Sequence, residues 1–240
     1  WCTFIRQRQG ISLRLGPQKT KGARMSKPSN AFRAHPHFSR LYLRGGPVLN
    51  LFLGQAREAQ GRLVTGKTLI IGAGSGLDVP AVLPFAKTLT LLEPDPTFAS
   101  HLLRQYPQLP VLITPAEFIT AADNTFDTVL SSLVLCSVAD LSQTLKEIFR
   151  VLKPDGQFLF LEHGIHRNKL AARMQAALDP AWQRVGGGCH LTRPIVDAVA
   201  AQGLVIDQFQ YISTNWLVPL ITGRATKSPI HRQTLRETPR

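Results

Sequence analysis

Lys67-Thr-Leu-Ile-Ile-Gly-Ala-Gly-Ser-Gly76 is followed, seventeen residues on, by Glu93 within Thr90-Leu-Leu-Glu-Pro-Asp-Pro96. An apolar, strand-like run enters three alternating glycines, and a second apolar run ends on a single carboxylate. Glycine reaches positive φ and lets a ligand approach the main chain where a side chain would block it. A helix following the turn directs its free N–H groups at whatever occupies it. A carboxylate at the tip of the neighbouring strand is placed to accept hydrogen bonds from two ribose hydroxyls. The two features together predict a nucleoside site at the edge of a parallel sheet.

Outward from this stretch the pattern repeats strand and helix with short connections. Strands are predicted at about 67–72, 88–93, 111–113, 126–132 and 157–162. Helices are predicted at roughly 77–86, 96–106 and 140–152, the last with Leu141, Leu145, Ile148 and Val151 on one face. Pro94 and Pro96 stop the second strand, and Pro154-Asp-Gly156 ends the third of these helices. Residues 126–132 are apolar through their middle, as a central parallel strand should be. Upstream, 38–60 reads as one or two short helices broken near Gly45-Gly46-Pro47. Downstream, helices are expected at 168–178 and 192–202, then strands at about 204–211 and 218–226. This order predicts an α/β fold: a Rossmann-like open, mostly parallel seven-stranded sheet with helices on both faces and an antiparallel last strand.

The chain has 240 residues and 44% hydrophobic content, enough for one large domain. Its net charge of +13 is unevenly spread. Residues 1–44 carry ten Lys/Arg and no acid, and 224–240 carry five against Glu237. The stretch between holds thirteen basic and fourteen acidic residues, a net of −1. The core is therefore close to neutral, and the basic ends read as solvated tails able to make weak contact with a membrane surface. The chain opens on Trp1 and its first methionine is Met25, so 1–24 is read as a non-native or disordered basic lead, with the true start expected at Met25. The expected organisation is then a helical segment over 25–65, the main domain over 66–227 and a basic disordered tail over 228–240. Cys2, Cys136 and Cys189 are odd in number, widely spaced and without a CxxC pair. A reducing, cytoplasmic location is expected, with neither disulfide framework nor zinc site.

Gly72, Gly74 and Gly76 form G-x-G-x-G. A dinucleotide fingerprint needs a small residue at the position of Leu77, so no pyrophosphate is expected there and NAD is the second reading. A purely structural turn is a third, opposed by the placing of Glu93. His163 follows a strand ending at the ligand edge, where an imidazole can take a proton near neutral pH; the alternative is a histidine that only shapes the pocket. Cys136, in an apolar context, reads as a small core residue. Cys189 and His190 supply two ligands, too few for a metal site. Arg193 is expected to face an anionic acceptor or, with Thr192, to cap a helix. Trp182 and Trp216 suggest a pocket lid or ordinary core packing.

This set of residues resembles the class I S-adenosylmethionine-dependent methyltransferases over roughly residues 30–227. The resemblance implies that Gly72, Ala73, Gly74 and Gly76 hold the methionine end and ribose, with Glu93 clamping the ribose beside Pro94. It implies that Ala116 and Glu117 wall the adenine, and that Ser132 and Leu133 lie beside the transferred methyl. Leu152-Lys-Pro-Asp-Gly156 is similar to the family's turn before strand five. Leu133-Val-Leu-Cys-Ser-Val138, Glu162-His163 and Gly187-Gly-Cys-His-Leu-Thr-Arg193 resemble one branch, the methyltransferase-like thiol S-methyltransferases and their bacterial relatives. Ile70 stands where the family usually has an acid for the cofactor's ammonium, with Asp78 as the possible substitute. Pro115 stands where many members bind the adenine amino group.

The resemblance implies an enzyme moving a methyl group to a small, lipophilic acceptor, a thiol favoured, with S-adenosyl-L-methionine as cofactor and no metal. The catalytic candidate is His163. Quinone or phenol C- or O-methylation and phospholipid N-methylation are alternatives, as are a non-catalytic cofactor-binding protein and an NAD-binding oxidoreductase. No nucleic-acid partner is expected, because Ser131-Ser132-Leu133-Val134 lacks the Asp/Asn-Pro-Pro-aromatic segment of enzymes that methylate base amino groups.

Overall fold

The computed structural model describes residues 34–213, 215 and 218–227. The lead 1–24, the tail 228–240 and Trp216 lie outside the described residues. Elements run α1 (Pro36–Gly61), β1 (Lys67–Ile71), α2 (Val79–Val82), β2 (Thr88–Leu92), α3 (Pro96–Gln105), β3 (Val111–Leu112) and β4 (Phe126–Ser132). They continue with α4 (Leu141–Val151), β5 (Leu152–His163), α5 (Lys169–Val185), α6 (Ile195–Ala201), β6 (Val205–Ser213) and β7 (Leu220–Thr226). The seven strands form one sheet in the order β3-β2-β1-β4-β5-β7-β6. β1 pairs in parallel with β2 and β4, and β7 runs antiparallel to both β5 and β6. The predicted mixed sheet is the observed one.

The alternation of side chains along a strand explains the layers. Leu69 and Ile71 of β1 face one core with Val129, Phe158 and Phe160, covered by Leu145 and Ile148 of α4 and Val199 of α6. Ile70, between them, faces the other core with Leu91, Leu130 and Leu159, covered by Val79 and Val82 of α2 and Leu102 of α3. Both faces of the central strands are buried, which is why they read as unbroken apolar runs. Helix starts follow side-chain chemistry. Asp95 accepts from the N–H groups of Thr97 and Phe98, Asp140 from Gln143, and Asn168 from Leu170 and Ala171.

Three predicted boundaries are corrected. α1 runs unbroken through Gly45-Gly46-Pro47, since tertiary contact outweighs the local breakers. A Cβ on Gly46 would lie 3.4 Å from Ser75 Oγ, and one on Gly61 would run into the Ala81 carbonyl oxygen, so glycine lets this helix settle onto the glycine turn and α2. The helix after the glycines is only Val79–Val82, because Gly76 and Asp78 occupy the turn that would have begun it. α5 continues to Val185 across Pro180.

Candidate active site

The C-terminal ends of β1, β2 and β4 open on a cavity of about 170 Å³, the edge where open α/β sheets place ligands. Gly72, Gly74 and Gly76 all have positive φ, at 57°, 56° and 79°, but they serve different ends. A Cβ on Gly72 would stand 2.5 Å from Val134 Cγ2, and one on Gly76 2.7 Å from Tyr106 Cε2. At Gly74 the nearest atom would be the Gly72 carbonyl at 3.8 Å, so its missing side chain leaves space in the cavity. Ser75 Oγ, also on the cavity wall, is buried and has no protein partner. A bare backbone cradle with an unsatisfied hydroxyl fits a polar ligand, and Glu93 lies at its edge. Gly72→Ala is expected to lower the melting temperature through about 1–3 kcal/mol of strain and crowding, read by thermal unfolding.

Glu93 Oε2 accepts the Gly74 N–H at 2.8 Å, and Oε1 accepts the Asp95 N–H at 2.8 Å. Burial pushes its pKa up to about 7 despite these two donors. Asp95 in turn accepts Ser39 Oγ–H at 2.9 Å, which ties α1 to the start of α3.

Asp78 is buried at the opposite side of the turn. Its Oδ1 accepts Arg57 Nε at 3.1 Å and Ser132 Oγ at 2.8 Å. Burial raises the Asp78 pKa although both partners oppose the rise. Arg57 Nη1 also donates to Asn50 Oδ1 at 2.8 Å. Arg57, Ser39, Tyr42, Phe38 and His35 all line the cavity from α1 or the residue before it. The sequence marked this segment as helical but gave no sign that it forms a wall of the site. Its one available signal was the pair of small residues, Gly46 and Gly61, that permit close approach.

At the end of β4, Leu133 takes φ 59° and turns the chain away from the sheet, a conformation costing about 1–3 kcal/mol outside glycine. Glu162, fully buried on β5, holds this turn in place. Its Oε1 accepts Ser131 Oγ–H and the N–H groups of Val134 and Leu135, each N–H at 3.0 Å. Ser132, Leu133, Pro94, Pro115, Ala116 and Glu117 all line the cavity with Ala73. Glu117 Oε1 also accepts the Asp140 N–H at 3.0 Å.

Ile70 points into the core, not the cavity. His163 does not line the cavity either: its Nδ1 lies 3.1 Å from Cys189 Sγ. His190 turns the other way, with Nδ1 3.3 Å from Asp179 Oδ2. Arg193 donates from Nη1 to the Leu135 carbonyl at 2.8 Å and so fastens α6 to the turn after β4. Trp182 packs on the Gly186 backbone, away from the cavity wall.

A family model described as "Methyltransferase domain" matches residues 69–160, from β1 to β5. The thiol S-methyltransferase TMT1B of Rattus norvegicus is 33% identical over 186 residues, covering 72% of this chain and 75% of its own. The chain belongs to the class I S-adenosylmethionine-dependent methyltransferases. Thiol S-methyltransferase TMT1A of Homo sapiens is 31% identical over 172 residues, covering 66% and 70% of the two chains. The fold also matches geranyl diphosphate C-methyltransferase from Streptomyces coelicolor, solved with S-adenosyl-L-homocysteine, with a TM-score of 0.56 at 13% identity over 70% of this chain and 75% of that one. The methyltransferase described here is thus an enzyme with S-adenosylmethionine as cofactor, and the glycine turn with its open cradle fits that group. Among the described residues of this methyltransferase no helix is long and apolar enough to cross a membrane.

Proposed function

We propose that this methyltransferase transfers the methyl group to a small, lipophilic thiol. One observation carries the reading beyond the relatives' names: Arg57 is the one cation among the described residues lining the cavity, and it is bound to Asp78. A cavity whose remaining walls include Phe38, Tyr42, Phe98, Leu133, Val134 and Val138 favours an apolar acceptor, and its described lining offers no unpaired Lys or Arg to a phosphate or a nucleic-acid backbone. The buried free thiols of Cys136 and Cys189 agree with a reducing, cytoplasmic setting.

In this reading Glu93 accepts the ribose hydroxyls, Gly74 and Ser75 face the cofactor's polar atoms, and Pro94, Ala116 and Glu117 enclose its base. Asp78 takes the role usual for an acid at position 70. Both of its bonds use Oδ1, and Oδ2 is the oxygen left for the ammonium. When bound, S-adenosylmethionine supplies an electrophilic methyl group on a sulfonium, and the protein contributes alignment and exclusion of water. A free thiol with a pKa of about 8.5 is only a few per cent ionised at neutral pH, so a base beside the acceptor raises the reactive fraction. Among the described residues the histidine lining the cavity is His35, whose Nε2 lies beside Gly188. We assign it, and not His163, as the group that takes the thiol proton.

The test is S-adenosylhomocysteine release against thiols, quinols, phenols, amines and phospholipids. Thiols are expected to give the highest kcat/KM, and a preference for quinols or amines would overturn the thiol assignment. His35→Gln is expected to lower kcat about 10²-fold for alkyl thiols, with little change for thiols already ionised at the assay pH. Titration calorimetry should show cofactor affinity unaltered. Gly74→Val, strained by about 1–3 kcal/mol at this positive φ, is expected to fold yet bind cofactor poorly, because its side chain enters the cradle; binding equal to wild type by the folded variant would remove Gly74 from the site.

A further inference from the structure

Behind the cavity wall three chain segments bring soft donors together. Cys136 comes from the turn after β4, His163 from the last position of β5, and Cys189 from the loop between α5 and α6. Their ligand atoms all lie within 4.8 Å of one another, and both thiols are buried while the imidazole is half-buried. A tetrahedral zinc ion, with Zn–S of about 2.3 Å and Zn–N of about 2.0–2.1 Å, sets its donors about 3.5–3.8 Å apart. The observed Nδ1–Sγ separation of 3.1 Å needs only a small outward movement to meet that. Two thiolates and a neutral imidazole balance a divalent charge, and mixed nitrogen and sulfur donors favour zinc among the common metals.

The surroundings suit such a site. The His190 N–H donates to the Cys136 carbonyl at 2.8 Å, so the backbone already joins two of the three segments. Arg193 Nη1 donates to the carbonyl of Leu135, the residue before Cys136, at 2.8 Å. Outer contacts of this kind fix ligand orientation. The sequence reading considered Cys189 with its neighbour His190, whereas the fold sets Cys189 beside residues 26 and 53 positions away.

We propose that Cys136, His163 and Cys189 form a three-donor zinc site that clamps the Gly186–Leu191 loop, and with it the cavity-lining Gly187, to the ends of β4 and β5. The site is independent of the acceptor's identity, since none of the three donors lines the cavity. Each thiol that binds the ion releases its proton, and a fourth position stays open to water, as in zinc sites with three protein ligands.

The full chain, purified with a thiol-free reductant and dialysed against micromolar zinc, is expected to retain one zinc per chain by elemental analysis. Cobalt in place of zinc should produce a sulfur-to-metal charge-transfer band, and either metal should raise the melting temperature. Cys136→Ser and Cys189→Ser are expected to lose the band, and His163→Gln to weaken binding at least tenfold, while His190→Gln keeps it. Should a serine variant misfold, alkylation of the wild type decides instead: both thiols should be protected by zinc and exposed by a chelator. Folded, reduced wild-type protein that stays metal-free overturns the proposal, as does retention of zinc by His163→Gln with loss in His190→Gln.

Discussion

Asp78→Ala is expected to destabilise the folded chain by about 3–5 kcal/mol, the usual cost of stranding one charge of a buried pair. The Arg57 and Asp78 side chains are 4% and 9% exposed, and their Nε–Oδ1 bond is 3.1 Å. Without the carboxylate, Arg57 loses its charge partner and keeps the neutral acceptor Asn50, and Ser132 loses its acceptor. The converse substitution at both positions separates stability from function. Burial raises the Asp78 pKa even with Arg57 beside it, so desolvation outweighs attraction in this pair. Replacing Arg57 with Met and Asp78 with Leu together should therefore restore stability to near the wild-type value, yet leave cofactor affinity low. Denaturant midpoints and calorimetry on the two variants and the wild type check this. A loss below about 1 kcal/mol in Asp78→Ala would show that the pair is solvated and the argument wrong.

The strands and the glycine turn were legible because their signals are local. Each needs only apolar runs, positive-φ residues and stops within ten residues of one another, and Ile70, Leu91, Leu130 and Leu159 fall where those runs put them. Glu93 was legible for the same reason: the strand that ends on it pairs with β1 in register, and its carboxylate reaches Gly74. The remainder of the site depends on contacts distant in sequence. Nothing near Arg57 announces Asp78, and nothing near Ser39 announces Asp95. α1 reads as two helices because Gly45, Gly46 and Pro47 are breakers in isolation, and only the packed turn beneath makes Gly46 an advantage. His163 was placed correctly at the end of β5, but position on a strand does not fix where a ring points. Its partner Cys189 is 26 residues on, so the ring turns toward the α5–α6 loop and His35 faces the cavity instead.

Glu93 is expected to give cofactor binding a pH dependence opposite in sign to its effect on folding. Its pKa in the folded protein is about 7, against an ordinary value of 4.5, with burial as the largest cause. The folded chain thus holds this proton more tightly than the unfolded chain does. The resulting stability is fully present below pH 4.5 and is lost as pH rises through about 7. Binding runs the other way. The ionised carboxylate accepts the Gly74 and Asp95 N–H groups and has lone pairs left for two hydroxyls, whereas the protonated form gives up acceptor capacity. Affinity for S-adenosylhomocysteine should therefore rise from pH 5.5 to about 7.5 and then level off. Glu93→Gln removes the titration and replaces a charged acceptor by a neutral one. It is expected to weaken binding about 10–100-fold at pH 8, the range for hydrogen bonds to a charged group, and to flatten the pH dependence. The same substitution should remove the fall in stability that the wild type shows as pH rises toward 7. Titration calorimetry and thermal unfolding across this range measure both slopes on one pair of proteins. Wild-type affinity that does not change with pH, or a Glu93→Gln variant that keeps the slope, would mean that another group titrates and that Glu93 does not hold the ribose.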